Sequence, residues 1–201
     1  ARTKGRKVAE MRREIEKQAR KSHVLKCINE FKNRENIEGI YGRLGDLGTI
    51  DPKYDIAIST AGGKRFESIV VDKTETAQRC INEVRRCKAG IVTCIILDKV
   101  KELKQRNTKI PKKTLKLIDM LQIKDPKFQP AFYYAIQDTL VAENLYDAKD
   151  AAFNYGERHR VVTVDGNLID ISGTFQGGGN QIRRGGMNIV DEDAYRKALK
   201  E

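Results

Sequence analysis

The residues best suited to chemistry in this sequence concentrate in one segment, Ser172–Gly186, which reads SGTFQGGGNQIRRGG. Six glycines share this segment with two adjacent arginines, Arg183 and Arg184. Backbone N–H groups of a glycine-rich loop bind phosphate, and arginine pairs with phosphate oxygens through a planar fork. Glycine also lets two backbones approach closely, or leaves a linker loose. These three uses are the alternatives that the rest of the sequence has to separate.

Phosphate-loop patterns are not completed anywhere in the chain. The Walker A loop requires G-x-x-x-x-G-K-[ST] after a strand. The stretch GGKRFES has no Ser or Thr directly after its lysine and follows a predicted helix, and QGGGNQIRRGG has no Lys-Ser or Lys-Thr pair. A catalytic triad needs a histidine beside a nucleophile, and the only histidines are His23 and His159. The sequence therefore predicts no catalytic residue and no cofactor in this fragment.

The cysteines do not follow a metal-binding pattern along the chain. Cys27, Cys80, Cys87 and Cys94 form no C-x-x-C pair, and the histidines are isolated. The spacing of Cys80 and Cys87 places them on one face of a helix, since a turn takes about 3.6 residues. We therefore expect free thiols in an intracellular protein, and no metal site.

Positive charge is concentrated at the N-terminal end. The 201 residues carry a net charge of +11, and residues 1–34 hold 12 Lys and Arg against 4 Asp and Glu. A focused basic arm favours a polyanionic partner, although a solvated helix with uneven charge gives the same composition. Because no run of 18 apolar residues occurs, we expect no membrane partner.

Apolar periodicity predicts two long terminal helices around a mixed body. Residues 6–33 carry a thin apolar stripe typical of a coiled-coil strand, and a second helix is predicted over 189–201. The body, residues 36–188, alternates strands and helices. The proline-flanked break at KDPKFQP divides it into halves at 36–125 and 126–188. This pattern predicts an α+β fold with two small sheets.

Local signals place several element ends within the body. Asp51 and Asn144 are predicted helix caps, and Asp72–Glu75 is a predicted capping box. Gly90 is predicted to close the helix that starts near this box. Asp165 and Gly166 are predicted to form a type I′ hairpin turn.

Several long blocks of this body resemble the hinge domain of structural maintenance of chromosomes (SMC) proteins. They are GIYGRLGDLGTIDPKYDIAIS, IVVDKTETAQRCINEVRRCKAG, QPAFYYAIQDTLVAENLYDAKDAA and RVVTVDGNLIDISGTFQGGG, in family order over roughly 36–187. The shorter blocks GRLGDLG, DTLVA and SGTFQGGG resemble condensin subunits more than cohesin or bacterial relatives. The resemblance implies a hinge flanked by truncated antiparallel coiled-coil strands, at 1–35 and 189–201, with the ATPase head elsewhere in the protein.

The resemblance also implies a role for the glycine-rich segment. In this family, hinges pair in a ring, and the glycine motif of one hinge abuts a partner hinge. The motif glycines map onto Gly173, Gly177 and Gly178, with Gly179 as an extra. The expected partner is the hinge of the type-two SMC subunit of condensin, and self-pairing of the chain alone is left open. Close backbone approach is thus favoured over a phosphate cradle or a linker.

A second expected surface would contact DNA without reading its sequence. The basic residues that follow the glycine motif in the family map onto Arg183 and Arg184. They are predicted to converge at the hinge–coil junction with basic residues of the first helix, namely Arg12, Arg13, Arg20, Lys21 and Lys26. The basic loop 101–116 is a competing site. The implied location is the nucleus and chromosomes, with a cytoplasmic phase. An alternative is a stand-alone nucleic-acid-binding module whose pairing is incidental.

Overall fold

The computed structural model describes residues 21–178 and 183–190. The helices in this part of the chain are α1 (21–34), α2 (Asp55–Gly62), α3 (Thr74–Arg86), α4 (Leu97–Val100), α5 (Gln129–Ile136) and α6 (Leu145–Phe153). The strands are β1 (Ile40–Arg43), β2 (Gly48–Ile50), β3 (Ile69–Val71), β4 (Cys94–Ile96), β5 (Thr114–Lys116), β6 (Leu121–Ile123), β7 (Leu140–Ala142), β8 (Val161–Thr163), β9 (Leu168–Ile169), β10 (Phe175–Gln176) and β11 (Asn188–Ile189). Within these ranges, no helix combines the length and the apolar character needed to cross a bilayer.

Two compact units share the chain. Within the described residues, the first unit comprises 21–42 together with Ser68–Asp98, and the second comprises Arg43–Glu67 together with 99–178 and 183–190. The units are interleaved along the chain, because β2 pairs with β6 and β11 inside the second unit. The predicted halves at 36–125 and 126–188 stay a prediction.

In the first unit, α1 and α3 share a core with a three-stranded sheet of order β1-β3-β4. Strands β3 and β4 run parallel, with Ile69 opposite Cys94. All three residues of β3 are buried, which confirms the buried strand predicted from the run ESIVVD. Ile28 and Phe31 of α1 are buried in the same core, as their helical spacing predicts. The part of the predicted helix before residue 21 lies outside the described residues.

The second unit contains two sheets. The larger has the order β10-β9-β8-β7-β5, and β7 and β8 are its parallel pair. Alanines of α6 pack on this sheet, with Leu140 and Val161 in the same buried cluster. The smaller sheet has the order β11-β2-β6. Helices and small sheets in both units confirm the predicted α+β fold class.

Two predicted helix caps are present. The carboxylate of Asp51 accepts a hydrogen bond from the Lys53 N–H at 2.8 Å, although it caps a short 3-10 turn ahead of α2. The side chain of Asn144 accepts from the Asp147 N–H at 2.9 Å and opens α6. A side-chain oxygen therefore satisfies a free backbone donor at each start.

The predicted capping box and helix end of α3 are wrong. Lys73 is the N-cap residue and makes no side-chain cap bond, because its ammonium cannot accept. The Asp72 carboxylate accepts from the Lys73 N–H at 2.7 Å and from the Thr76 hydroxyl. At the other end, Lys88 adopts a φ of 50°, and the Ala89 N–H donates to the Val84 carbonyl at 3.1 Å. This six-to-one bond is that of a Schellman end. Lys88, rather than Gly90, takes the left-handed position.

The β8–β9 hairpin is confirmed, but its predicted turn type is wrong. Val161 pairs with Ile169, and Val162 with Leu168. A type I′ turn requires positive φ at both central residues, whereas only Gly166 has one, at 95°. The Gly166 N–H donates to the Thr163 carbonyl at 3.0 Å. The turn therefore spans Thr163–Gly166, with the glycine in its last position.

The helix predicted over 189–201 does not begin at Ile189. That residue belongs to β11 and pairs in parallel with Ile50, and the Val190 N–H donates to the Ile50 carbonyl at 3.0 Å. Pairing with a buried strand outweighs the local helical pattern here. Residues 191–201 lie outside the described residues, so the rest of this prediction stays open.

Candidate functional site

The glycine-rich segment begins on the edge of the larger sheet. Phe175 of β10 pairs with Ile169 of β9, and Gln176 pairs with Leu168. Among the described residues, no strand lies on the other side of β10. Phe175 is 51% exposed and Ile171, just before the segment, is 49% exposed. An unpaired edge with exposed apolar side chains is a template for another chain.

A tight turn accounts for Gly173. The Gly173 N–H donates to the Asp170 carbonyl, and the Asp170 N–H donates to the Thr174 carbonyl, both at 2.9 Å. Gly173 has a φ of 91°, a conformation that residues with a Cβ rarely adopt. The Ser172 N–H donates to the Asp170 carboxylate at 3.0 Å, and this bond, with help from the Arg160 guanidinium, lowers the pKa of Asp170. This turn within its own chain therefore explains why position 173 is a glycine.

Gly177 and Gly178 meet different surroundings. A Cβ on Gly177 would collide with the side-chain amide of Asn167. A Cβ on Gly178 would meet no atom within 4 Å, and the φ of Gly178 is 77°. Gly178 thus leaves its backbone open on the outside of the fold. Gly179 lies outside the described residues, so its predicted contact is not placed.

The second half of the segment is anchored inside the second unit. The Gly185 N–H donates to the Asp55 carboxylate at 3.0 Å, and the Gly186 N–H donates to the Ser59 hydroxyl at 2.9 Å. One nitrogen of Arg43 donates to both glycine carbonyls at 2.9 Å. The backbone groups of these two glycines form hydrogen bonds with the protein, whereas those of a loose linker would form them with water.

Close backbone approach occurs here between two glycine runs of the same chain. A Cβ on Gly45 would overlap the carbonyl oxygen of Gly186. A Cβ on Gly186 would lie 3.0 Å from both the Phe66 ring and the Ser59 hydroxyl. Sequence reasoning missed this packing, and the two glycine-rich runs, GRLGDLG and RRGG, were the available signal.

Arg183 and Arg184 directly precede this anchor, and both are exposed. Arg183 lines a cavity of about 240 Å³ together with Arg160, Asp170 and Gln176. Its guanidinium lies 3.3 Å from the position that a Cβ on Gly63 would take. The arginines are therefore attached to a fixed backbone beside the glycine-rich edge.

The structure describes only some of the other residues that are predicted to contact DNA. Lys21 and Lys26 lie on α1 in the first unit, and the Lys26 ammonium is 3.9 Å from the Glu30 carboxylate. Arg12, Arg13 and Arg20 lie outside the described residues. The predicted convergence of these residues with Arg183 and Arg184 stays a prediction.

The competing basic loop, 101–116, is tied to the second unit at several points. The Arg106 N–H donates to the Asp138 carboxylate at 3.2 Å, and the Lys113 ammonium lies 3.2 Å from the Asp147 carboxylate. Lys109 and Lys112 in the same loop are exposed. The loop therefore stays a candidate surface for polyanions.

Comparison with known proteins defines the class. Residues 37–152 match the family model described as the SMC proteins flexible hinge domain. The chain belongs to this hinge family, which confirms the resemblance read from its sequence blocks.

One relative is similar to most of this chain. The chain is 44% identical over 180 residues to structural maintenance of chromosomes protein 4 of Saccharomyces cerevisiae, covering 90% of this chain and 13% of that protein. The chain thus spans about an eighth of the length of this relative. This match agrees with the resemblance to condensin subunits that the shorter sequence blocks carry.

Solved structures agree on the fold. The structure titled "Folded elbow of cohesin" superposes with a TM-score of 0.76 at 25% identity, covering 96% of this chain and 28% of that one. An asymmetric dimer of the Geobacillus stearothermophilus SMC hinge domain superposes at 0.69 and 21% identity, covering 98% and 82%. At this identity the second comparison shows the fold alone.

Proposed function

We propose that this chain is the dimerisation hinge of a condensin SMC subunit, pairing with the hinge of the type-two subunit. The carrying observation is the edge of β10, where none of the described strands pairs and exposed Phe175 is followed by the open backbone of Gly178. The match to the SMC flexible hinge family and the relative from S. cerevisiae support a hinge of an SMC subunit. Chromosome condensation, in the nucleus, is the process in which such a hinge would act.

Light scattering tests this proposal on the chain alone and mixed with a type-two hinge. The proposal expects a one-to-one complex in the mixture. A Phe175→Ser variant should weaken it at least about tenfold, because aromatic side chains dominate interface energetics.

Leu115→Ser is the matched control. Leu115 lies on β5 at the opposite edge of the same sheet and is 50% exposed, against 51% for Phe175. The control should assemble like the unmodified chain. Equal loss in both variants would contradict the assignment of the interface to β10, and no complex in any mixture would contradict pairing itself.

We also propose that the hinge contacts DNA phosphates through Arg183 and Arg184. Both side chains are exposed, and the anchoring of Gly185 and Gly186 limits how far they can move. Contacts of this kind position a protein on DNA without reading bases. Binding without any pairing would favour the stand-alone nucleic-acid-binding module instead.

We further propose that this fragment does no catalysis, and that ATP hydrolysis belongs to the head of the longer protein. The support is the incomplete phosphate-loop pattern in both glycine-rich stretches.

A further inference from the structure

Two thiols and a carboxylate meet in the first unit, away from the glycine-rich segment. They belong to Cys27 on α1 and to Glu83 and Cys87 at the end of α3. Their ligand atoms all lie within 4.8 Å of one another. The Cys87 sulfur is 3.6 Å from Oε1 of Glu83, and the Cys27 sulfur is 3.9 Å from the Glu83 carbonyl oxygen.

The fold holds these three groups in place. Glu83 and Cys87 are four residues apart, which puts them on the same face of α3. Cys27 is 4% exposed and belongs to the core that α1 shares with the sheet. Glu83 is 7% exposed, while Cys87 is half-buried and leaves a path to solvent.

The spacing matches a tetrahedral metal site. Zinc bonds of about 2.3 Å to sulfur and about 2.0 Å to oxygen place two ligand atoms about 3.5 Å apart in a tetrahedron. The 3.6 Å between Cys87 and Glu83 is close to that edge, and the remaining pairs need only small side-chain movements. We propose that Cys27, Cys87 and Glu83 bind a thiophilic divalent cation, zinc in a cell, with solvent in the fourth position.

Neighbouring arginines balance the charge of this site. Arg34 donates to Oε1 of Glu83 at 3.0 Å, and Arg86 donates to both carboxylate oxygens, to Oε1 at 2.6 Å and to Oε2 at 2.9 Å. The two thiolates and the carboxylate are negative, whereas both guanidiniums and the divalent cation are positive. The occupied site would therefore carry a small net positive charge. Binding releases the two thiol protons to solvent, and the carboxylate would be shared between the cation and the arginines.

The bound cation would join α1 to α3 through side chains 60 positions apart. Sequence patterns search for cysteine pairs with short spacing, so they could not detect this pair. Cys80 and Cys94 are free thiols of the same unit that lie outside the cluster of three ligands, which makes Cys94 a matched control.

Titration of the whole chain with Cd²⁺ tests the proposal, using the ultraviolet absorption of cadmium–thiolate bonds, followed by Zn²⁺ in competition with a chromophoric chelator. The unmodified chain should bind one equivalent and unfold at a higher temperature with Zn²⁺ present. Cys87→Ser should weaken binding at least about tenfold, the lower end of what even an outer-shell change costs a metal site. Cys94→Ser should bind like the unmodified chain.

Cys27→Ser tests the buried ligand of the site in the same way, and circular dichroism confirms whether this variant folds. If it does not fold, Cys87→Ser, which changes a half-buried side chain, decides the question. No cadmium–thiolate band in the reduced chain would overturn the proposal. So would binding that survives Cys87→Ser or that is lost in Cys94→Ser.

Discussion

Arg43 and Gly186 are joined by a hydrogen bond of 2.9 Å, from a side chain at the end of β1 to a carbonyl 143 positions later. The Arg43 side chain is 13% exposed and also pairs with Asp46 at 2.9 Å and Glu67 at 3.1 Å. One largely buried guanidinium therefore holds the end of the glycine-rich segment and two carboxylates.

Removing that guanidinium should destabilise the second unit. Arg43→Ala removes a donor shared by partly exposed carboxylates and by the Gly185 and Gly186 carbonyls, and we expect a loss of about 1–3 kcal/mol in the free energy of unfolding by urea. Lys53→Ala is the control, since the Lys53–Glu143 pair is half exposed and should cost less than about 1 kcal/mol. Similar losses in the two variants would contradict the anchoring role of Arg43.

Gly178 offers a sharp test of the interface. Gly178→Val should weaken pairing with the type-two hinge, because the side chain would project from the edge where a partner backbone approaches. Gly156→Val is matched to it, since Gly156 has a φ of 78° and a Cβ there would also meet no atom within 4 Å. Both variants carry similar backbone strain, about 1–3 kcal/mol, so thermal unfolding should shift alike. Assembly measured by light scattering should fall for Gly178→Val alone, and a parallel fall for both would point to strain.

DNA binding should depend on the two exposed arginines. The double variant Arg183→Glu with Arg184→Glu should weaken binding without affecting pairing, and the unmodified affinity should be micromolar or weaker, indifferent to sequence and steeply reduced by salt. Electrophoretic shifts at several salt concentrations measure this. The comparison variant neutralises Lys109, Lys112 and Lys113 in the basic loop. Loss of binding in that variant alone would move the site to the loop.

ATP should not bind specifically to this fragment. We expect calorimetry to detect at most weak heats that vanish at high salt, since a net charge of +11 attracts any polyphosphate. Micromolar binding that survives high salt would contradict the proposed lack of a nucleotide site.

The Asp170 turn should weaken in acid. Its folded pKa is lowered, mainly by the Ser172 N–H, so its contribution is fully present above the unfolded value of about 3.9 and is lost as pH falls through the folded pKa. Unfolding free energy should therefore fall more between pH 5 and about 3 in the unmodified chain than in Asp170→Asn. The carboxylate is partly exposed, so the difference should stay below about 1 kcal/mol. Parallel pH profiles would contradict this role.

Local signals in the sequence predicted the elements more successfully than their connections. The run ESIVVD predicted a buried strand, and Asn144 predicted the start of α6, because apolar runs and caps act over a few residues. Lys88 took the left-handed position expected at Gly90, since the Schellman bond from Ala89 to Val84 sets the end of α3. Propensity alone does not determine such a choice.

The site itself was predictable only in part. The glycine motif and its arginines were identified from sequence blocks, but the anchoring of Gly186 by Ser59 depends on residues 127 positions apart. The pairing of β11 with β2 is similarly non-local, and it overrode a helical pattern at Ile189. Contacts of this range depend on the whole topology, which a periodicity within one segment does not encode.

The interleaving of the two units has a mechanical consequence. Helix α1 enters the first unit, whereas β11 leaves from the second, so a pull applied between the two ends must pass from one unit to the other. The chain crosses between the units at 42/43, 67/68 and 98/99. Three covalent connections, in place of one, therefore join the two units. Cleavage of the chain at any single crossing would leave two covalent connections between them.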